Sequence, residues 1–283
     1  MKTIGLVGTG MMSTGIAQTF SQHGYAVVLV GRSDASADRC VAGVRKALFR
    51  LVSKQQLHEV DAEEMLARIQ VTTDYAPLAD CQLVIESVAE DLAIKTAVLK
   101  QISEVVDDET IIATNTSSLS LEALASLTKQ PEKFIGMHFF NPVPLMSLVE
   151  VVSGLRTSDL TKVTIRELVL KLGKQPVEVK DAPGFVVNRV LFPMINEAAF
   201  ALQEGVSDAE GIDNCMRAGC NHPLGPLALA DLVGLDVVFA ILKSLQAEYG
   251  NPRYAPCLEI VKRVEAGLLG RKTGRGFYDY SKK

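Results

Sequence analysis

The chain opens by switching between two hydrophobic periods, and the same switching recurs for nearly two-thirds of its length. Ile4 to Val7 is a short unbroken apolar run ending at Gly8 and Gly10, after which Ile16, Ala17 and Phe20 recur at helical spacing. That order predicts strand, tight turn, helix. Ala26 to Val30 (AVVLV) is the β-branched pattern of a strand buried on both faces. Further strands are predicted at Gln70–Thr73, Leu83–Glu86, Thr110–Thr114, Lys133–Phe139, Leu148–Val152 and Gln175–Val179, with helices over Leu92–Val106 and Thr161–Leu172. Residues 38–68 read as two helices joined near Ser53 and Lys54, a helical-hairpin arm. This rhythm predicts an α/β fold with a doubly wound, mainly parallel sheet.

The rhythm breaks at Asp181-Ala182-Pro183-Gly184, and no strong strand is predicted beyond it. Phe185–Gln203, Asp208–Ala218, Leu235–Tyr249 and Cys257–Ala266 read as helices, and Leu191, Ile195 and Ala199 form an apolar stripe suited to a core or a subunit contact. The expected organisation is a dinucleotide-binding domain over residues 1–183 and a smaller all-α domain over 184–283 for substrate and dimer contacts.

The glycines at the first turn bring in chemistry. Gly8 lets the chain turn sharply, and Gly10 has no β-carbon, so backbone there can approach a pyrophosphate. The following helix, starting at Met11 and Met12, points unpaired N–H groups and its positive dipole end at that phosphate. A strand before and a helix after supply the context that a Rossmann-like dinucleotide site requires. The third glycine of the usual G-x-G-x-x-G pattern is Ser13 here, although Gly15 follows. At the end of the second strand, where nicotinamide-binding folds often carry an acid for the adenosine ribose, the chain reads Gly31-Arg32-Ser33. A forked cation and a hydroxyl suit a 2′-phosphate, which predicts NADP(H) over NAD(H). The alternative gives the ribose role to Asp34, which reads better as a helix cap.

Composition removes several function classes. The hydrophobic fraction is 48% and the formal charge −4, with no long basic run, so nucleic acid is not an expected partner. No apolar stretch approaches the length of a membrane span, and glycine interrupts the first apolar run too early for a signal peptide. Five scattered cysteines without a CxxC pair read as buried free thiols in a reducing cytoplasm. Four histidines far apart in sequence predict no metal site.

Gly8, Gly31, Ser117 and His138 all fall at carboxyl ends of predicted strands, where ligands of such sheets bind. His138 is on that ground a candidate general base, the alternative being a satisfied core histidine beside Phe139 and Phe140. Glu150 lies within an apolar run, either as a functional carboxylate or facing water from an edge strand. The turn after Thr114 adds Asn115 to the cofactor candidates, and the turn after His138 adds Asn141 to the substrate candidates. Arg50 and Lys54 stand on the basic arm, which is either a plain solvated face or a contact for an anionic ligand.

The runs ATNTSSLS (113–120), IGMHFFNPVPLMSLVEV (135–151), DAPGFVVNRVLFPMINEA (181–198), NHPLGPLALADLVGLD (221–236) and GRKTGRGFYDY (270–280) resemble the 3-hydroxyacyl-CoA dehydrogenase family, in particular its short bacterial 3-hydroxybutyryl-CoA branch. The resemblance implies reversible oxidation of an (S)-3-hydroxyacyl-CoA by NAD(P)+, in a site between the domains. It places the catalytic histidine on His138, its carboxylate partner on Glu150, and substrate-contacting residues on Ser117 and Asn188. It also implies cofactor contacts at Glu90 and Lys95, CoA contacts at Arg50 and Lys54, and a homodimer formed through the helical domain. A free hydroxy acid as substrate, or a non-catalytic protein on the same fold, are the competing readings; the basic arm speaks against the first and the intact polar set against the second.

Overall fold

The near-continuous apolar runs of the first half become one eight-stranded sheet. A computed structural model describes residues 1–281, in two units, Met1–Ala182 and Pro183 onward. The strands of the first unit are β1 (Thr3–Val7), β2 (Ala26–Val30), β3 (Ile69–Thr72), β4 (Leu83–Glu86), β5 (Ile111–Thr114), β6 (Phe134–Phe139), β7 (Leu148–Ser153) and β8 (Gln175–Lys180). Its helices are α1 (Met11–Gln22), α2 (Asp34–Ser53), α3 (Glu59–Ala67), α4 (Leu92–Val105), α5 (Leu121–Ala125) and α6 (Asp159–Lys171). The sheet order is β3-β2-β1-β4-β5-β6-β7-β8, so the winding reverses between β1 and β4. Such a reversal opens a crevice at the strand ends, where ligands of these sheets bind.

Every pairing is parallel except β6 with β7. Residues 140–147 between them are too few to cross back over the sheet, so the chain reverses beside itself. The register this sets puts His138 directly opposite Glu150. β7 is flanked by β6 and β8 and Glu150 is 1% exposed, which overturns the edge-strand alternative for that residue.

Ile4, Leu6, Leu29 and Ile85 of the sheet share one core with Ile16 and Phe20 of α1, Val44 and Leu48 of α2, and Ile165 of α6. Each such side chain contributes roughly 1.5–3 kcal/mol by leaving water. Helix α2 begins four residues earlier than the sequence pattern indicated. Ser33, not Asp34, is its N-cap: the Ser33 hydroxyl accepts from the Ser36 N–H at 3.3 Å, and Asp34 is an exposed first-turn residue.

Gly8 sits at the reversal point with φ +125°, and a β-carbon there would lie 2.3 Å from the Ser87 carbonyl oxygen after β4. Gly8→Ala therefore has no relaxed backbone and no space. It should cost about 1–3 kcal/mol for the left-handed backbone alone, read as a lowered urea midpoint.

The second unit is helical: α7 (Val187–Gln203), α8 (Ala209–Cys220), α9 (Pro226–Val233), α10 (Leu235–Tyr249) and α11 (Leu258–Glu265). Ile195 and Ala199 of the expected stripe are core residues here. Two buried carboxylates tie the unit together. Asp213 accepts from the N–H groups of Leu227 and Ala228 at the start of α9, 2.8 Å each, and from the Tyr278 hydroxyl at 2.7 Å. Asp231 accepts from the N–H groups of Phe277 and Tyr278, 2.9 Å each. Cys40, Cys81 and Cys257 are buried, but Cys215 and Cys220 on α8 are exposed, so the expectation of buried thiols fails for those two. No helix among the described residues is long and apolar enough to cross a membrane.

Candidate active site

His138 and Glu150 meet across the antiparallel pair, with Nδ1 to Oε2 at 2.6 Å and both side chains buried. An ionised carboxylate only accepts hydrogen bonds, so this contact assigns the Nδ1 proton and leaves Nε2 as the basic nitrogen of a neutral ring. The Phe140 ring packs on the imidazole at 4.6 Å between centroids. Orientation and tautomer are thereby set before any substrate arrives.

The polar turn after β5 lies on the same rim. The Asn115 side chain accepts from the Phe139 N–H at 3.0 Å and donates to the Ser87 hydroxyl at 3.3 Å, linking the ends of β4, β5 and β6. Ser117 follows, half-buried, with its N–H 2.8 Å and its hydroxyl 3.3 Å from Oε1 of Glu90. Partial burial pushes the Glu90 carboxyl up, but the Lys95 ammonium and the donors of Thr116, Ser117 and Ser118 outweigh it and hold it below the ordinary carboxylate value. Lys95, the other expected cofactor contact, is 1% exposed, with its ammonium 2.8 and 2.9 Å from the two oxygens of Glu86 and 3.3 Å from Glu90.

Glu86 was not foreseen. It closes an apolar strand, is 0% exposed, and also accepts from the Thr114 hydroxyl at 2.6 Å and the Val88 N–H at 2.7 Å. A carboxylate ending a fully apolar strand was the one available signal. Its partner, nine residues on in α4, cannot be picked out from spacing. Lys174 was likewise unforeseen. It is 7% exposed and donates to the carbonyls of Val143 (2.5 Å) and Met146 (2.7 Å), tethering the loop between β6 and β7. Burial pushes its ammonium below the usual lysine value.

The glycine turn has the form a pyrophosphate needs. Gly10 caps α1, and a β-carbon on it would meet nothing within 4 Å, so the helix start faces open space. Ser13, in place of the third glycine, is fully buried and donates to the Ser87 carbonyl at 3.0 Å, so the extra atoms are absorbed by a hydrogen bond. Met11 is exposed and Met12 half-buried. At the end of β2, Gly31 is buried with its N–H on the Thr72 carbonyl at 2.9 Å, while Arg32 and Ser33 are exposed. The residues present therefore fit a dinucleotide. Arg50, Lys54 and Asn141 are exposed. Asn188 belongs to the second unit, in the first turn of α7, and is buried there. No group of three or more His, Cys, Asp or Glu side chains able to hold a metal occurs among the described residues.

A glycine turn with an open helix start at the winding reversal and an oriented imidazole on the same rim suit a nicotinamide-dependent oxidoreductase. The family model for the 3-hydroxyacyl-CoA dehydrogenase NAD binding domain matches residues 3–182, and the model for the C-terminal domain matches 184–280. A 3-hydroxybutyryl-CoA dehydrogenase of Clostridioides difficile is 49% identical over 279 residues, covering 99% of each chain. A probable 3-hydroxybutyryl-CoA dehydrogenase of Bacillus subtilis is 44% identical, covering 100% of this chain and 99% of its own. The crystal structure of (S)-3-hydroxybutyryl-CoA dehydrogenase from Ralstonia eutropha matches with a TM-score of 0.96 at 50% identity, covering 99% of each chain. The chain belongs to the 3-hydroxyacyl-CoA dehydrogenase family and is an oxidoreductase.

Proposed function

We propose that this protein interconverts a short-chain (S)-3-hydroxyacyl-CoA and its 3-oxoacyl-CoA, 3-hydroxybutyryl-CoA and acetoacetyl-CoA foremost, with preference for NADP(H). The observation that carries the chemistry is the 2.6 Å contact of His138 Nδ1 with Glu150. A nicotinamide nucleotide bound at the glycine turn would supply the acceptor or donor for the hydride at C3 of the acyl group. His138 takes the hydroxyl proton on Nε2 in oxidation and gives it back in reduction, serving as base in one direction and acid in the other. Glu150 offsets the positive charge that the ring then carries. Ser117 and Asn188 are assigned to hydrogen-bond the reacting oxygen. Gly8, Gly10, Met11, Met12 and Asn115 would hold the dinucleotide, and Arg50 and Lys54 the CoA phosphates.

The cofactor preference rests on Arg32. It is exposed at the end of β2, and no carboxylate stands at positions 31–33. Ser33 keeps its hydroxyl proton while its oxygen caps α2, so it still has a donor for a phosphate. The basic arm favours a CoA thioester over a free hydroxy acid. The homodimer through the second unit follows from the family resemblance, and Val190, Val206, Leu232 and Leu258 there are exposed apolar side chains open to such a contact. Free cysteines support a reducing, cytoplasmic location.

Steady-state reduction of acetoacetyl-CoA with NADPH and with NADH tests both parts. A hydrogen-bonded charge on the 2′-phosphate is worth about 1.5–3 kcal/mol, so kcat/KM should be at least about tenfold higher with NADPH. Higher kcat/KM with NADH removes the cofactor preference. No turnover with either removes the reaction.

A further inference from the structure

One carboxylate oxygen collects most of the hydrogen bonds in the turn that follows β5. Oε1 of Glu90 accepts from the Thr116 hydroxyl at 2.6 Å, the Ser117 N–H at 2.8 Å, the Ser118 hydroxyl at 2.9 Å, the Ser118 N–H at 3.0 Å and the Ser117 hydroxyl at 3.3 Å. Its other oxygen lies 3.3 Å from Lys95, and Lys95 is clamped by the fully buried Glu86. Glu86 in turn accepts from the last residue of β5, Thr114. The charges alternate, negative, positive, negative, from the interior of the sheet to the turn. We propose that Glu90 is a positioning residue, which fixes the Thr116–Ser118 turn and through it the Ser117 hydroxyl, and that this, not a bond to the nicotinamide nucleotide, is its main contribution to turnover.

The inference rests on the reading above, in which Ser117 contacts the reacting oxygen. Two consecutive backbone N–H groups and three hydroxyls converging on one point need a concentrated negative charge, because a neutral acceptor binds each donor more weakly. A glutamine at this position would also turn an N–H₂ group toward the Lys95 ammonium, or else surrender the turn's donors. Only 34% of the Glu90 side chain is exposed, and both of its oxygens already have protein partners. A displacement of the Ser117 hydroxyl by even about 1 Å can cost on the order of 100-fold in rate.

The test is a cycle of Glu90→Gln, Ser117→Ala and the double variant, assayed with acetoacetyl-CoA and each nicotinamide nucleotide. Glu90→Gln should lower kcat by about 10- to 100-fold with little change in KM for the nucleotide. The double variant should be no slower than the slower single, within about twofold. A raised nucleotide KM at unchanged kcat, or effects that multiply, overturns the proposal. Should Glu90→Gln not fold, Glu90→Asp carries the same expectations, since the shorter carboxylate withdraws from the turn. Amide exchange provides an arm independent of turnover. In either Glu90 variant the Ser117 and Ser118 amides should exchange at least about tenfold faster than in the wild type, and unchanged exchange overturns the proposal. A wild type without turnover would refute the proposed reaction, while the exchange result would still decide the role of Glu90.

Discussion

Glu150→Gln should lower kcat for acetoacetyl-CoA reduction by about 10³- to 10⁴-fold while the protein stays folded. The expectation follows from the contact of His138 Nδ1 with Oε2 of Glu150 at 2.6 Å, inside a sheet where both side chains are buried. A glutamine of the same shape can present its N–H₂ to Nδ1. The amide then donates to Nδ1, which must accept, so the ring proton moves to Nε2 and no basic nitrogen is left toward the substrate. If the amide instead turns its oxygen to Nδ1, the tautomer is kept, but the positive ring formed in oxidation has lost its counter-charge. A buried carboxylate with the same task in a hydrolytic triad is worth about 10⁴ when made an amide, and acid–base catalysis in general about 10²–10⁴. The loss should appear in kcat with KM for the nucleotide nearly unchanged, because the glycine turn lies at the end of β1. Thermal melting should confirm a folded variant. A loss smaller than about tenfold would mean that Glu150 only fills space, since orientation by packing alone would then suffice.

That pairing shows what a sequence can and cannot display. Leu83–Glu86 and Leu235–Tyr249 were readable to the residue because an apolar run or a helical period ends there at polar punctuation. His138 and Glu150 were readable as residue types at strand positions, but their meeting depends on β7 running antiparallel. That depends on the length of the loop at 140–147 and on the register it sets. Helix α9 went unpredicted because Gly225-Pro226 before it and Gly234 after it read as loop punctuation, while Asp213, 14 residues before Leu227, caps its first N–H groups. Ser33 and Asp34 are adjacent and both are good caps, so only geometry decides between them. The Glu86–Lys95 pair joins a strand end to a helix start across the sheet surface, and no local period carries that contact.

Lys95→Met is expected to have the largest effect on stability, about 3–5 kcal/mol, since removing one partner of a buried pair strands the other. Glu86 is 0% exposed and Lys95 1%, at 2.8 Å, so water cannot replace the ammonium without opening the start of α4. Thr114 and Val88 would still donate to Glu86, but two neutral donors do not offset a buried charge. For a chain of this size each kcal/mol moves the melting temperature by about 2–4 °C, so the variant should melt roughly 6–20 °C lower. The pair is not itself a source of that much stability. Taking two charges out of water costs nearly what their attraction returns, so Glu86→Gln combined with Lys95→Met should recover most of the loss. Recovery of melting temperature should not restore turnover, because Glu90 has still lost the cation 3.3 Å from its outer oxygen. Equal destabilisation in the single and double variants would show that Lys95 acts through the packing of its aliphatic stem instead of its charge. The buried pair thus makes a different demand from the His138–Glu150 contact. One must be kept or removed as a pair for the sheet to hold, whereas the other can lose its charge at small cost to the fold and large cost to the reaction.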